Sequence, residues 1–255
     1  TSNCVSLFNR LAEDKGKQVG GKIMNLVIDE SCKLTPVLGA ERFGFLAKET
    51  LAHSCVENCV NNAHVNATIA SAEKSTYYGN MIGVAYGTVK GCTNNGDINI
   101  LVEGNAARMN IGGIIGYSNV QTQITNGGNA HIALNCTNNG NISYTVNGTS
   151  GHVYIGGVLS GSSPASGAIT AESPSKGTVE GCVNTGNIEY TLKNGGSLTD
   201  GEGTAGSGNY YNIGGVLGYI EGNVKDCVNG QEGTSKGKIT ITVPTMTNGN
   251  AVSRP

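Results

Sequence analysis

The chain has no Trp, 3 Phe and 5 Pro in 255 residues, and only 13% of it is charged. Each shortage excludes something. No apolar run approaches the ~20 residues that a membrane-spanning helix needs, and no amphipathic basic helix is visible, so the segment does not insert into a membrane. The formal net charge is −2 and the Lys and Arg residues are scattered. That leaves no basic stripe for a phosphate backbone and excludes nucleic acid as a partner. No Cys-x-x-Cys and no nearby His pair is present, so a four-ligand zinc site is not supported. The chain begins at Thr1 without a signal-type apolar segment, as a trimmed mature domain would, so its destination has to be inferred indirectly.

What is abundant is 40 Gly and about thirty Asn, recurring in register with Leu, Ile and Val instead of pooling. Regular apolar spacing argues against disorder, and this composition is turn-rich β material. At this length one β domain is the default expectation.

Two elements repeat in fixed order. The first is Cys92-Thr-Asn-Asn-Gly-Asp-Ile98, Cys136-Thr-Asn-Asn-Gly-Asn-Ile142 and Cys182-Val-Asn-Thr-Gly-Asn-Ile188, with a drifted copy at Cys59-Val-Asn-Asn-Ala-His-Val65 and a fifth begun by Cys227-Val-Asn-Gly. The second precedes it: Ile111-Gly-Gly-Ile-Ile-Gly-Tyr117, Ile155-Gly-Gly-Val-Leu-Ser-Gly161 and Ile213-Gly-Gly-Val-Leu-Gly-Tyr219, with weaker versions at Met81–Tyr86 and Phe43–Ala47. Alternating runs such as Ile98–Val102, Ile142–Val146 and Ile239–Val243 read as strands. The tightest repeat, counted from Met81 to Ile111, has about thirty residues, too few for a helical crossover. The expected fold is therefore all-β: a right-handed parallel β-helix (β-solenoid) of about six coils with three short strands per coil. It forms a single domain over 1–255, with 1–35 a degenerate N-terminal capping coil, 36–243 the repeats and 244–255 a C-terminal tail. Within the capping coil, Val5–Phe8 reads as a strand, the charged residues 9–18 as a short helix, and Leu26 stands where later coils place Cys. Gly-, Ser-, Asn- and Thr-rich insertions at roughly 118–130, 160–177, 193–210 and 230–237 read as protruding loops.

In a solenoid, equivalent residues of successive coils lie above one another. Ile98, Ile142, Ile188 and Ile239 should make an inward file, with Ile100, Tyr144, Tyr190 and Ile241 two residues on. Asn94, Asn138 and Asn184, with Asn61 and Asn229, should form an amide ladder at a corner. The following Gly96, Gly140 and Gly186 suit positive φ, with Ala63 the weak spot. Five of the eight Cys, namely Cys59, Cys92, Cys136, Cys182 and Cys227, hold one repeat position, which points to a packed file of small, mostly reduced thiols, while Cys55 and Cys59 are spaced so that a pair is conceivable.

Groups that would carry chemistry do not converge. His53, His64, His131 and His152 are dispersed, and Asp14, Asp29, Asp97, Asp200 and Asp226 share no repeat position, whereas β-helix glycan-cleaving enzymes need grouped carboxylates. Glu57 with Lys90, and Glu180 with Lys225, align one coil apart and read as exposed cross-strand pairs. Asp200-Gly-Glu-Gly203 only faintly suggests a calcium loop. No catalytic, cofactor-binding or metal-binding residue is assigned, no cofactor is expected, and the ligand-binding residues are left unknown.

The units Ile111-Gly-Gly-Ile-Ile-Gly-Tyr117 and Cys182-Val-Asn-Thr-Gly-Asn-Ile188 resemble the GLUG repeat over roughly residues 40–243. Such repeats occur in large exported and surface proteins of bacteria, notably gut Bacteroides relatives described as adhesins, and in an extracellular peptidase outside its catalytic part. The resemblance implies an extracellular or cell-surface protein, anchored at the outer membrane in its full-length form. The expected function is a non-enzymatic recognition or adhesion module that binds a glycan or protein ligand through solenoid faces and inserted loops. The alternatives are a carbohydrate-active β-helix enzyme and a passive spacer of a larger surface protein.

Overall fold

A strand of two to eight residues cannot bury its apolar side alone, and the repeat solves this by stacking. The computed structural model describes residues 6–14, 16–17, 19–33, 41–119, 131–163, 177–193 and 210–243 of the chain, and among them every element is a β-strand. The shortest complete coil shows the path: Ala72–Gly79 lies in sheet I, Ile82–Ala85 in sheet II, Thr88–Lys90 in sheet III, Thr93–Asn94 in sheet IV and Ile98–Val102 in sheet V. At Ala106 the chain re-enters sheet I one layer up, paired with Ala72. Sheets II, III and IV each contain six parallel strands and sheets I and V five, so the chain winds through six coils of a parallel β-solenoid. Successive turns advance the sequence by 33, 44, 46 and 45 residues, read along the asparagine file.

Five strand segments per coil replace the three runs read from the sequence, because each of two runs is broken by a bend. One bend is at the residue before each Cys. Asn25, Asn58, Gly91, Asn135, Gly181 and Asp226 all take left-handed φ, between +51° and +63°, and turn the chain from sheet III into sheet IV. Asn, Asp and Gly are the residues that tolerate this conformation, which explains their monopoly of the position. Gly96, Gly140 and Gly186 are not in the left-handed region. Their requirement is close stacking: a Cβ on Gly140 would run into the carbonyl of Gly96, and one on Gly186 into that of Gly140. Ala63 is tolerated at the start of this file, fully buried.

The second bend is the Gly-Gly corner between sheets I and II. A Cβ on Gly112 would strike the Ile115 carbonyl, and Gly116 lies against the backbone of Tyr78 and Gly79 in the coil below. The next glycine, at 113, 157 and 215, packs on the side chain of the ladder residues Asn138, Asn184 and Asn229. Pairing of Tyr78 with Ile111 shows that the weak third-coil copy of the motif begins at Tyr78 and not Met81. Asn80 then stands where the others have glycine, and its Nδ2 donates to Asn94 Oδ1 (2.9 Å) and Gly96 O (2.8 Å).

The N-terminal coil differs from expectation in two respects: its first strand is Phe8–Leu11, with Ser6 and Leu7 in a bend ahead of it, and no helix follows among the described residues. Residues 8–11 are a strand in sheet II, and Glu13–Asp14 pairs antiparallel with Val19–Gly20, so a hairpin occupies the place read as a capping helix. Pairing of Phe8 with Ala47 anchors residue 8 onward into the stack, where a helix would leave the strand below it unpaired. Val5 of the expected Val5–Phe8 strand, most of the insertions and the Asp200–Gly203 segment lie outside the described residues. Leu26 does stand beneath Cys59, since Val27 pairs with Val60.

The core is a set of files. Ile98, Ile142 and Ile188 align with Val65 and Ile239, and Ile100, Tyr144, Tyr190 and Ile241 align two residues on, but Ile239 and Ile241, on the last coil, are exposed and not part of the buried core. Tyr144 and Tyr190 are fully enclosed and stack at 5.6 Å.

Candidate ligand-binding face

Cys59, Cys92, Cys136 and Cys182 are fully buried and Cys227 partly so, and none of the seven described cysteines is in a disulfide. Each thiol of the file donates to the carbonyl two residues back, for instance Cys92 to Lys90 O at 3.4 Å and Cys136 to Leu134 O at 3.5 Å. Contact with neighbouring thiols raises the Cys59 and Cys136 pKa values and lowers those of Cys92 and Cys182, the alternation expected where each thiol of a file leans on the next. All four are fully buried and bonded to a backbone carbonyl, out of reach of a substrate, so this file is structural. The pair Cys55–Cys59 is not joined.

The expected ion pairs form, with Lys90 Nζ 2.9 Å from Glu57 and Lys225 Nζ 3.0 Å from Glu180. They are exposed rungs, screened by solvent, that set register more than they stabilise the stack. Glu49, a buried carboxylate, is held between Arg42 (2.6 Å) and Arg10 (3.2 Å) on the first coils. His64, on sheet V's rim, accepts from the Asp97 amide at 3.0 Å, and His131 is the first residue of sheet III's fourth strand. A cavity of about 210 Å³ lined by Glu41, Ser71, Lys74 and Tyr78 contains one ion pair, Lys74–Glu41 at 3.3 Å.

One face differs. In sheet I, Met109, Ile111, Val153 and Ile155 point into the core. The intervening positions make two outer files, within which Asn110 and Tyr154 are themselves buried. One runs Tyr77, Asn110, Tyr154, Asn212 and the other Ser75, Arg108, His152, Tyr210. Sheet II adds a third, Val84, Tyr117, Gly161, Tyr219. The narrow Gly-Gly corner brings these together. Tyr77 meets Tyr117 with ring centroids 5.1 Å apart, and Tyr154 meets Tyr219 at 6.1 Å, each pair joining sheet I of one coil to sheet II of the next. The Arg108 guanidinium carbon lies 4.7 Å from the centroid of the Tyr154 ring, and His152 stacks on Tyr210 at 5.4 Å with 16° between planes.

The polar tips are partly organised. His152 Nδ1 accepts the Tyr210 amide at 2.9 Å, which puts the imidazole proton on Nε2. Burial, and then the charge of Arg108, lowers the His152 pKa, so the ring is neutral near pH 7. The Tyr219 hydroxyl donates to Glu221, which pushes its pKa up to about 12. Tyr210 and Tyr219 are 47% and 38% exposed, whereas Tyr154 is 8% exposed, so the patch has a wet rim and a covered centre.

Two insertions open beside this face. Asn119 pairs with Ser163, so the segments 120–130 and 164–176 leave sheet II at the same register on adjacent coils. They rejoin sheet III at His131 and Gly177, with His131 paired to Thr178. The strands extend to Asn119 and Ser163, taking up the first two and the first four residues of the ranges read as loop. In the shortest coil only Tyr86 and Gly87 make the same link. The turn at 230–237 lies elsewhere, between sheets IV and V.

Comparison of the chain with protein families, with curated proteins and with solved structures returned no match.

Of this face only His152 was considered from sequence, and it was set aside as one of four dispersed histidines. A signal was present: the Tyr that ends the Gly-Gly motif at 117 and 219, and the aromatic or polar residue just before its first Ile. It was hidden because tyrosine also fills the core of this protein, at 144 and 190.

Proposed function

We propose that the protein is a non-catalytic recognition module, exported or displayed at a cell surface, that binds a glycan through the tyrosine face of sheets I and II together with the insertions that leave beside it. The observation that carries this reading is the pair of tyrosine contacts, Tyr77–Tyr117 and Tyr154–Tyr219, flanked by Arg108 and His152. Aromatic faces bury the apolar side of a sugar ring, while Arg, His and Asn can hydrogen-bond its hydroxyls. Rigid strands fix these groups and the loops add variable contacts, the usual division of labour in a binding surface. The GLUG-like repeats favour the extracellular setting. A protein ligand is the second reading, favoured by the same enrichment of Tyr and Arg.

The test uses glycan arrays and titration by intrinsic tyrosine fluorescence, which the lack of Trp makes clean. Replacing 120–130 and 164–176 by the two-residue Tyr-Gly link of the shortest coil should leave thermal stability nearly unchanged and weaken glycan binding at least about tenfold, a loss of ~1.4 kcal/mol. Tyr154→Ala with Tyr219→Ala should weaken it further. Glycan binding untouched by all of these changes would remove the face from the account.

A further inference from the structure

We propose that Arg108 and the interrupted tyrosine file beside it form a subsite for a carboxylate-bearing sugar, an inference that rests on the glycan reading above. Three features converge on it.

The first is an unanswered charge. Of the three described arginines, Arg10 and Arg42 both reach Glu49, whereas Arg108 forms no ion pair among the described residues. Its Nε is buried and has no acceptor. Stacking on Tyr154 at 4.7 Å holds the planar group in place, so little freedom remains to be lost on binding. The neighbouring His152 is neutral and contributes no negative charge. A carboxylate matches the Nε–H and Nη–H edge of a guanidinium with two parallel hydrogen bonds.

The second is a missing rung. Where neighbouring coils place Tyr117 and Tyr219, the fifth coil has Gly161. Unlike the glycines of the Gly-Gly corner, this one is not demanded by backbone packing: an added Cβ would meet nothing nearer than the Tyr219 carbonyl at 3.6 Å. On the opposite side of the corner, Asn110 likewise separates Tyr77 from Tyr154. The two tyrosine pairs are thus two coil spacings apart, ~9.6 Å, with the Arg108 guanidinium lying against Tyr154 in the interval.

The third is an orphan acceptor. Asn110 is fully buried and its Nδ2 donates to Thr76 O at 3.2 Å, while its Oδ1 has no partner. A sugar hydroxyl supplies the missing donor. A simple anion would use Arg108 and ignore the tyrosines, and a neutral sugar would leave the guanidinium unanswered. A sugar ring bearing a carboxylate uses both.

The experiment titrates the full chain with hexasaccharides of galacturonate, mannuronate and glucuronate, each beside its neutral twin with the carboxyls reduced to alcohols. At least one acidic oligomer should bind ten times more tightly than its twin, with the gap closing as NaCl is raised. Arg108→Gln should weaken the acidic oligomer by about 10- to 100-fold and leave the neutral twin unchanged. Gly161→Tyr, which restores the missing rung, should abolish binding of both without lowering the melting temperature. Equal binding of acid and twin, with Arg108→Gln silent, would overturn the carboxylate subsite and leave the glycan reading standing. Failure of every oligomer to bind, or binding indifferent to Tyr154→Ala and Tyr219→Ala, would overturn both.

Discussion

Replacing Asn138 with alanine should destabilise the protein by about 3–5 kcal/mol, the largest effect expected of any single polar residue. Its Nδ2 donates to Gly140 O and to Asn184 Oδ1, both at 2.8 Å, and its Oδ1 accepts from Asn94 Nδ2, also at 2.8 Å. The substitution strips three buried groups of partners at once, with no water in reach, and each orphaned group costs ~1–3 kcal/mol before relaxation. The bonds also run in one direction. Asn61 donates to Asn94, Asn94 to Asn138, Asn138 to Asn184 and Asn184 to Asn229, so aligned amide dipoles polarise one another along the axis. Position along the file therefore sets the penalty. Asn229 is exposed on the last coil, where water can replace the lost bonds, and its alanine variant should cost about 1 kcal/mol. Denaturant unfolding of the two variants checks this ratio, with hydrogen exchange reporting which coils open, since stacked coils need not unfold in one step. Equal effects at 138 and 229 would show that the ladder is not a cooperative buried chain.

The second large effect concerns backbone approach. Gly157→Ala should cost about 2–3 kcal/mol, because the new methyl would enter the space of the Gly215 carbonyl and the Asn184 amide. Neither is the loose end of a flexible chain, so one coil must lift from the next or the ladder must bend. Gly161→Ala, four residues along, should stay within ~0.5 kcal/mol, since its Cβ meets only ordinary contacts. Melting temperatures of the pair would separate glycines that close the corner from the one that opens the tyrosine file. Two variants of similar stability would refute the packing explanation of the motif.

These contrasts show what was legible in the sequence. The files of Ile98, Asn94 and Cys92 could be read because each position is set by one requirement repeated in every coil, and the pairing register confirms them. The Glu57–Lys90 and Glu180–Lys225 rungs followed from the same register. What failed depended on three-dimensional proximity. The glycines at 96, 140 and 186 were attributed to φ, when the true left-handed file was the Asn, Gly or Asp one residue before each Cys. The charged segment 9–18 looked helical because charge and length say nothing of the hairpin and edge pairing that hold it. The aromatic face was missed for a deeper reason: Tyr77 and Tyr117 are 40 residues apart in different repeat elements, and only the Gly-Gly corner brings their rings together.

The stack itself is tested most directly by distances along one solvent-facing file. Asn66, Asn99, Ser143, Glu189 and Thr240 are in register on five successive coils of sheet V. Spin labels carried on an unnatural amino acid, which leaves the native thiols silent, can be placed at Asn66 with Glu189 and at Asn66 with Thr240. Three and four coil spacings predict backbone separations of ~14 and ~19 Å, the second pair being longer by one spacing although 51 more residues intervene. Separations that follow sequence distance, or that do not lengthen by one step from Glu189 to Thr240, would contradict the solenoid.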